Sequence, residues 1–234
     1  MKCQKIEIVG VAGTGKSTLT RTLVDRDPGH RIVDSLHTRA RAHWAYVAHS
    51  VPHVLPLIAR SARARPGFDW EESKFIVYVT EWRRFLRSDC RDDSGLLIFD
   101  QGPIFALARL LWGRKPVTAT REFERWVDEQ VAGWSLELDG IVWLVAPEEV
   151  LFERINQREQ EHEAKGRSIH EGLDVLLAHQ CAYEVLFERL EALGRPPVFT
   201  FDTSLMSSTR IAEEIERVLG RDPSHRPVNA GPTS

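Results

Sequence analysis

"GVAGTGKSTL", residues Gly10–Leu19, is the stretch from which the rest of the chain can be read. It follows the apolar run Ile6–Val9 and opens onto Ser17–Arg26, where apolar residues recur at helical spacing. Strand, glycine-rich turn and helix in that order put the turn at the carboxyl end of a strand. Residues 10–17 read Gly-x-x-x-x-Gly-Lys-Ser, and each fixed position has a physical task. The glycines let backbone N–H groups turn inward into a nest for an anion. The start of the helix adds the positive end of its dipole. Lys16 reaches terminal phosphates, and the Ser17 hydroxyl is a ligand for Mg²⁺. Gly10, Ala12, Gly13, Thr14, Gly15, Lys16, Ser17 and Thr18 are therefore the expected nucleotide-binding residues, with ATP and Mg²⁺ the expected cofactors.

Outward from this loop, strands and helices alternate. Apolar runs end at Gly10, Asp34, Asp100, Ala146 and Asp202, and helical patterns fill the stretches between them. The expected helices include Leu36–Ala48, one from Asp69 to Ser88, Ile104–Trp112, Thr120–Trp134, Glu148–Arg158, Leu173–Leu193 and Ile211–Leu219. Uninterrupted apolar strands alternating with helices predict a five-stranded parallel sheet covered on both faces, a three-layer α/β fold. In such sheets ligands bind at the carboxyl ends of the strands, and here three of the five ends carry an aspartate. Leu96–Phe99 followed by Asp100 has the form of a Walker B strand, which brings a carboxylate to the Mg²⁺ beside the phosphate loop. Asp100 joins Ser17 as an expected metal ligand.

The composition narrows the possibilities. With 234 residues and 42% hydrophobic content, one sizeable core is expected. A net charge of -3 argues against a dedicated nucleic-acid binder. Cys3, Cys90 and Cys181 have no metal-ligand spacing and read as reduced thiols. The apolar runs are far shorter than the roughly 20 residues of a membrane helix. The run at the start is interrupted by Glu7 and reads as a buried strand, so a cytoplasmic protein without a membrane partner is expected. Residues 220–234 are rich in proline, glycine and polar residues and read as a disordered tail after a single domain spanning 1–219.

The phosphate loop, the acid after the second strand, "LLIFDQGP", the charged segment Glu153–Arg167 and "FTFDTS" together resemble the nucleoside and nucleotide kinases, especially the thymidylate kinase and deoxynucleoside kinase branch. The resemblance extends over most of residues 5–219, and the loop is its specific part. It implies an ATP-dependent kinase that moves the γ-phosphoryl group to a small-molecule acceptor, a nucleoside or nucleoside monophosphate. It implies that Asp34 or Asp100 orients the acceptor hydroxyl, that residues 36–90 form a helical acceptor lobe, and that 153–170 form a lid. Arg154 and Arg158, in "ERINQRE", match the lid's pair of arginines, and Asp202 falls in the loop that passes the adenine base. Members of the family are often dimers, so a homodimer is a possible partner state.

One departure stands out. The family pairs the acid of its third strand with an arginine, and here the pair is Asp100-Gln101. Either another arginine, with Arg83 and Arg84 as candidates, supplies the charge, or the acceptor is a sugar or other metabolite. Other readings of Asp34, of Arg154 and Arg158 and of Asp202 are a helix cap, a solvated charged helix, and an Asp-Thr-Ser turn capping the last helix. A partner-activated ATPase or switch is the alternative class. A GTPase would carry an Asn-Lys-x-Asp guanine motif, which this sequence lacks.

Overall fold

Alternation within the strands organises the molecule. In β1 (Gln4–Val9), Ile6 and Ile8 point to one side of the sheet while Glu7 and Val9 point to the other. Leu96 and Ile98 against Leu97 and Phe99 repeat the division in β3 (Leu96–Asp100), as do Val142 and Leu144 against Ile141 in β4 (Gly140–Val145). Both sides are apolar, so both must be covered. A computed structural model of the chain describes residues 3–34, 70–89, 95–112, 121–157 and 169–220, with Leu55 and Ala59. With β2 (Arg31–Asp34) and β5 (Val198–Asp202), the strands form one sheet in the order β2-β3-β1-β4-β5. Every pairing is parallel.

On one side, α1 (Lys16–Arg26) and α7 (Ser208–Val218) cover the sheet with Leu19, Leu23, Ile211 and Ile215. On the other lie α2 (Trp70–Asp89), α3 (Pro103–Trp112), α4 (Arg121–Ser135) and α6 (Ile169–Ala192). They bring Val79, Trp82, Leu107, Val127, Trp134 and Leu186 into the larger core. Trp82 stands edge-on to Phe99 of β3 at 4.9 Å and to Trp134 at 6.2 Å, which ties α2 and α4 to the sheet. Trp134 is fully buried and its indole N–H donates to the Val79 carbonyl at 3.1 Å. A third, smaller cluster of Val11, Leu151, Ile155 and Leu176 joins the phosphate loop to α5 (Glu148–Asn156) and α6.

The three-layer parallel architecture read from the sequence is the one observed. The differences lie at element ends. β1 begins two residues before Ile6, because its polar start is satisfied: Gln4 Nε2 donates to the Leu219 carbonyl and the Lys5 amide to Asp139, at 3.0 and 2.8 Å. α6 begins four residues before Leu173, and α5 stops at Asn156 with Gln157 as its cap. The last helix is capped by Ser207, whose hydroxyl accepts from the Arg210 amide at 3.3 Å. The Asp202-Thr203-Ser204 turn is therefore not the cap. The expected helix at 36–48, most of the acceptor lobe, residues 158–168 of the lid expected over 153–170, and the tail after 220 lie outside the described residues. Among the described residues, no helix is long and apolar enough to cross a membrane.

Candidate active site

The sheet brings the expected residues to one edge. Asp34 of β2 pairs in register with Asp100 of β3, and Asp100 pairs with Ile8 of β1, directly before the loop. Asp202 pairs with Val145 at the same end of the sheet. Asp34 thus sits beside Asp100 by backbone placement, while its side chain lies outside the described residues.

The loop is built by backbone conformations that side chains resist. Gly10, Gly13 and Gly15 have φ of 147°, 88° and 86°. At Gly10 the neighbours also forbid a side chain, since a Cβ would lie 2.5 Å from the Leu144 carbonyl oxygen and 2.8 Å from Thr14 Oγ1. Thr14 is fully buried and its hydroxyl donates to the Val11 carbonyl at 2.8 Å, closing the loop on itself. Lys16 Nζ donates to the carbonyls of Gly10 and Val11 at 2.6 and 3.0 Å, which holds the ammonium over the loop. α1 has no side-chain cap and no acidic residue in its first turn. Its leading amides and its dipole therefore remain directed at an anion. Ser17 and Thr18 are exposed at this helix start.

Arg154 stands on α5, the helix packed beneath the loop. Its guanidinium donates to the Gly13 carbonyl at 3.3 Å, to Thr203 Oγ1 at 3.0 Å and to the Thr203 carbonyl at 3.1 Å. It clamps the phosphate loop to the turn after β5, so it is not a solvated helix residue. Arg158 lies outside the described residues. Asp202 Oδ1 accepts from the amide and hydroxyl of Ser204 at 2.8 and 2.6 Å. The Ser204 hydroxyl and amide hold its carboxyl below the usual carboxylate range. Asp202 therefore shapes the turn and does not line the cavity itself. That cavity, about 420 Å³, runs from Gly13, Gly15 and Thr18 past Arg154 and Thr203 to Met206 and Ser207.

The two arginine candidates resolve differently. Arg83, offered as the missing charge, donates to Gln130 of α4 at 3.4 Å and is engaged between α2 and α4. The Arg84 side chain lies outside the described residues. Phe105 and Leu107 are packing residues: Leu107 is fully buried, and Phe105 packs edge-on against Phe75 at 6.3 Å.

Sequence reasoning missed Glu7. It marked the residue only as an interruption, yet the side chain is fully buried and accepts from the Ile104 and Phe105 amides at 2.9 and 2.8 Å. Burial pushes its carboxyl up to about 8, against the pull of the Phe105, Ile104 and Gly102 amides and with a further push from Asp100. Beside it lies Tyr183 of α6, fully buried and hydrogen bonded to the Gly10 backbone. The one available signal was a charged residue at a core position of a central strand. Among the described residues, no group of three His, Cys, Asp or Glu side chains is placed to hold a metal.

No family model matches the sequence, and none of the curated proteins is similar to it. Solved structures are similar in fold. Deoxyadenosine kinase from M. mycoides with bound dATP matches with a TM-score of 0.53 and 18% identity, covering 93% of this chain and 100% of that one. The same enzyme with bound dCTP matches at 0.53 and 16%, with 93% and 100% covered. With the products dCMP and a flexible dCDP it matches at 0.53 and 16%, with 93% and 98% covered. At such identities the likeness is one of fold, and the fold of this chain is the three-layer phosphate-loop fold that those kinases share.

Proposed function

We propose that the chain is an ATP-dependent kinase whose acceptor is a nucleoside or nucleoside monophosphate. The observation that carries this reading is the register of Asp34 and Asp100 beside a complete phosphate loop. It sets two strand-end acids next to a nest for the triphosphate, and phosphoryl transfer needs that arrangement: little covalent work, much positioning and charge neutralisation.

In this reading the β- and γ-phosphates lie on the amides of residues 13–18, with Lys16 leaving the Gly10 and Val11 carbonyls for the phosphate oxygens. The adenine occupies the cavity between Arg154, Thr203 and Met206. Ser17 and Asp100 are oxygen donors of the kind Mg²⁺ takes, few enough that phosphates and water complete the shell. Bound there, the ion would neutralise negative charge on the phosphates. Asp34 or Asp100 orients the acceptor hydroxyl toward the γ-phosphoryl group, and Arg154 and Arg158 oppose the negative charge that spreads in the transition state. Gln101 keeps the second reading, a sugar or other non-nucleotide acceptor, in play. It is exposed and has a φ of 59° beside Asp100, and it offers hydrogen bonds where the resemblance leads one to expect a cation.

The test is ADP release from Mg·ATP, measured against the acceptor-free rate with a panel of nucleosides, nucleoside monophosphates and sugars. Stimulation by one nucleoside class supports the reading. Stimulation by a sugar alone replaces the acceptor, and no stimulation with ATP binding intact overturns the kinase assignment.

A further inference from the structure

Glu7 performs no step in the mechanism above, yet it is a fully buried acid in the central strand of the sheet. Such a residue is costly to keep unless its hydrogen bonds are made. The bonds it makes are specific: one carboxyl oxygen for the Ile104 amide at 2.9 Å, the other for the Phe105 amide at 2.8 Å. These are among the leading amides of α3, which have no partner within the helix. The connection between β3 and α3 is only Gln101 and Gly102, and Gln101 holds a left-handed φ of 59°. A conformation of that kind persists only where its surroundings enforce it.

Gly102 completes the fit. Its φ is not in the left-handed region, so its backbone does not require glycine. Glu7 does: a Cβ on Gly102 would stand 2.5 Å from the Glu7 Cδ and 2.8 Å from each carboxyl oxygen. Pro103, the first residue of α3, has no amide to satisfy. Glu7, Gly102 and the two amides thus form one interlocked joint directly after Asp100. Tyr183, hydrogen bonded to the Gly10 backbone, lies close enough to Glu7 to feel its charge, so the joint also borders the root of the phosphate loop.

We propose that Glu7 is a positioning residue: by holding the amides of Ile104 and Phe105 it fixes the Asp100–Pro103 turn, and so the direction in which Asp100 and Gln101 meet the phosphoryl acceptor. The acceptor part of this statement rests on the kinase reading; the fixing of the turn does not. Two variants attack the joint from opposite sides. Glu7→Gln keeps the shape but replaces one accepting oxygen with an N–H₂ group facing an amide. Gly102→Ala keeps the carboxyl group and pushes it away.

The experiment compares wild type, Glu7→Gln and Gly102→Ala by three readouts on the full chain. These are amide hydrogen exchange in the peptide spanning 101–106, the Kd for ATP by calorimetry, and kcat and KM for deoxyadenosine and the other nucleosides of the panel. In both variants, exchange in 101–106 is expected to quicken at least tenfold while the Kd for ATP stays within about twofold. Turnover of the nucleoside is expected to fall roughly tenfold or more in kcat, as misplacement of reacting groups does. Unchanged exchange in 101–106 overturns the proposal. So does a loss of ATP binding in step with loss of fold, which marks a general structural role. If the wild type phosphorylates no nucleoside, the kinase reading fails on its own. Exchange and ATP binding then still decide: faster exchange with ATP affinity retained upholds Glu7 as the residue that fixes the turn, and any other pair of results overturns it.

Discussion

At the scale of single residues, the loop makes the sharpest demands. Gly10→Ala adds a methyl group where the Leu144 carbonyl and the Thr14 hydroxyl already stand, at a φ of 147°. Strain and contact together are expected to cost about 2 kcal/mol or more. ATP affinity should fall at least about tenfold, since 1.4 kcal/mol of misplaced amides is enough. Calorimetric titration with Mg·ATP checks this, and wild-type affinity in the variant would contradict it. Arg154 makes a different demand. Its guanidinium spans the Gly13 carbonyl and both oxygens of Thr203, a fork that an ammonium cannot reproduce. Arg154→Lys is therefore expected to weaken ATP binding about three- to tenfold, at the roughly 1 kcal/mol of a lost hydrogen bond. Equal Kd values in the two proteins would show that charge alone suffices. The loop residues were legible in the sequence because their spacing is local. The partners of Arg154 were not, because Gly13 and Thr203 are 141 and 49 residues away in the chain.

At the scale of elements, the pattern of apolar residues was enough to find all five strands and the helices among the described residues. The central strands β1, β3 and β4 alternate between two buried faces, and α1, α4 and α7 each have one buried side. Register was not legible. That Asp34 stands beside Asp100 follows from the strand order, which no local pattern encodes. Contacts between helices were equally hidden, and the one between α1 and α7 matters for the site because α1 carries Lys16. Arg26 donates through Nε and Nη2 to the two oxygens of Glu216 at 3.1 and 3.0 Å, a forked pair at the seam of the two helices. Glu216 is buried there and its hydrogen bond is the main reason the guanidinium holds its proton more firmly than usual. Glu216→Ala is expected to lower stability by about 1–2 kcal/mol, the scale for hydrogen bonds to charged groups with one partner partly in water. ATP affinity should stay close to wild type, because the pair is at the far end of α1 from the loop. Urea unfolding followed by tryptophan fluorescence measures the first and titration the second. An unchanged urea midpoint would mean that the apolar seam of Leu23 and Ile215 holds the helices without it.

At the scale of the whole molecule, the buried carboxyl of Glu7 ties stability to pH. In the unfolded chain the group has its ordinary value of 4.5, while burial pushes it up to about 8 in the fold. Between those values the folded protein keeps a proton that the unfolded chain has released. Native protein then binds more protons than unfolded protein, so unfolding free energy decreases as pH rises. The cost of the buried acid is absent below about pH 4.5, grows through the neutral range and levels off above about pH 8. This slope is opposite to that of an acid whose folded form holds it ionised, such as Asp202 on the surface turn, whose contribution is present at neutral pH and lost only in acid. The two therefore separate by window: Asp202 acts below its ordinary value of 3.8 and Glu7 above 4.5. Urea midpoints measured from pH 5 to 8 in wild type and Glu7→Gln isolate the second effect, because the amide side chain does not titrate. The wild-type midpoint is expected to fall across this range, and the variant's to fall less. The two curves should converge toward pH 8, where the wild type also carries its full penalty. Parallel curves would mean that the Ile104 and Phe105 amides stabilise the carboxylate well enough to cancel the cost of burying it.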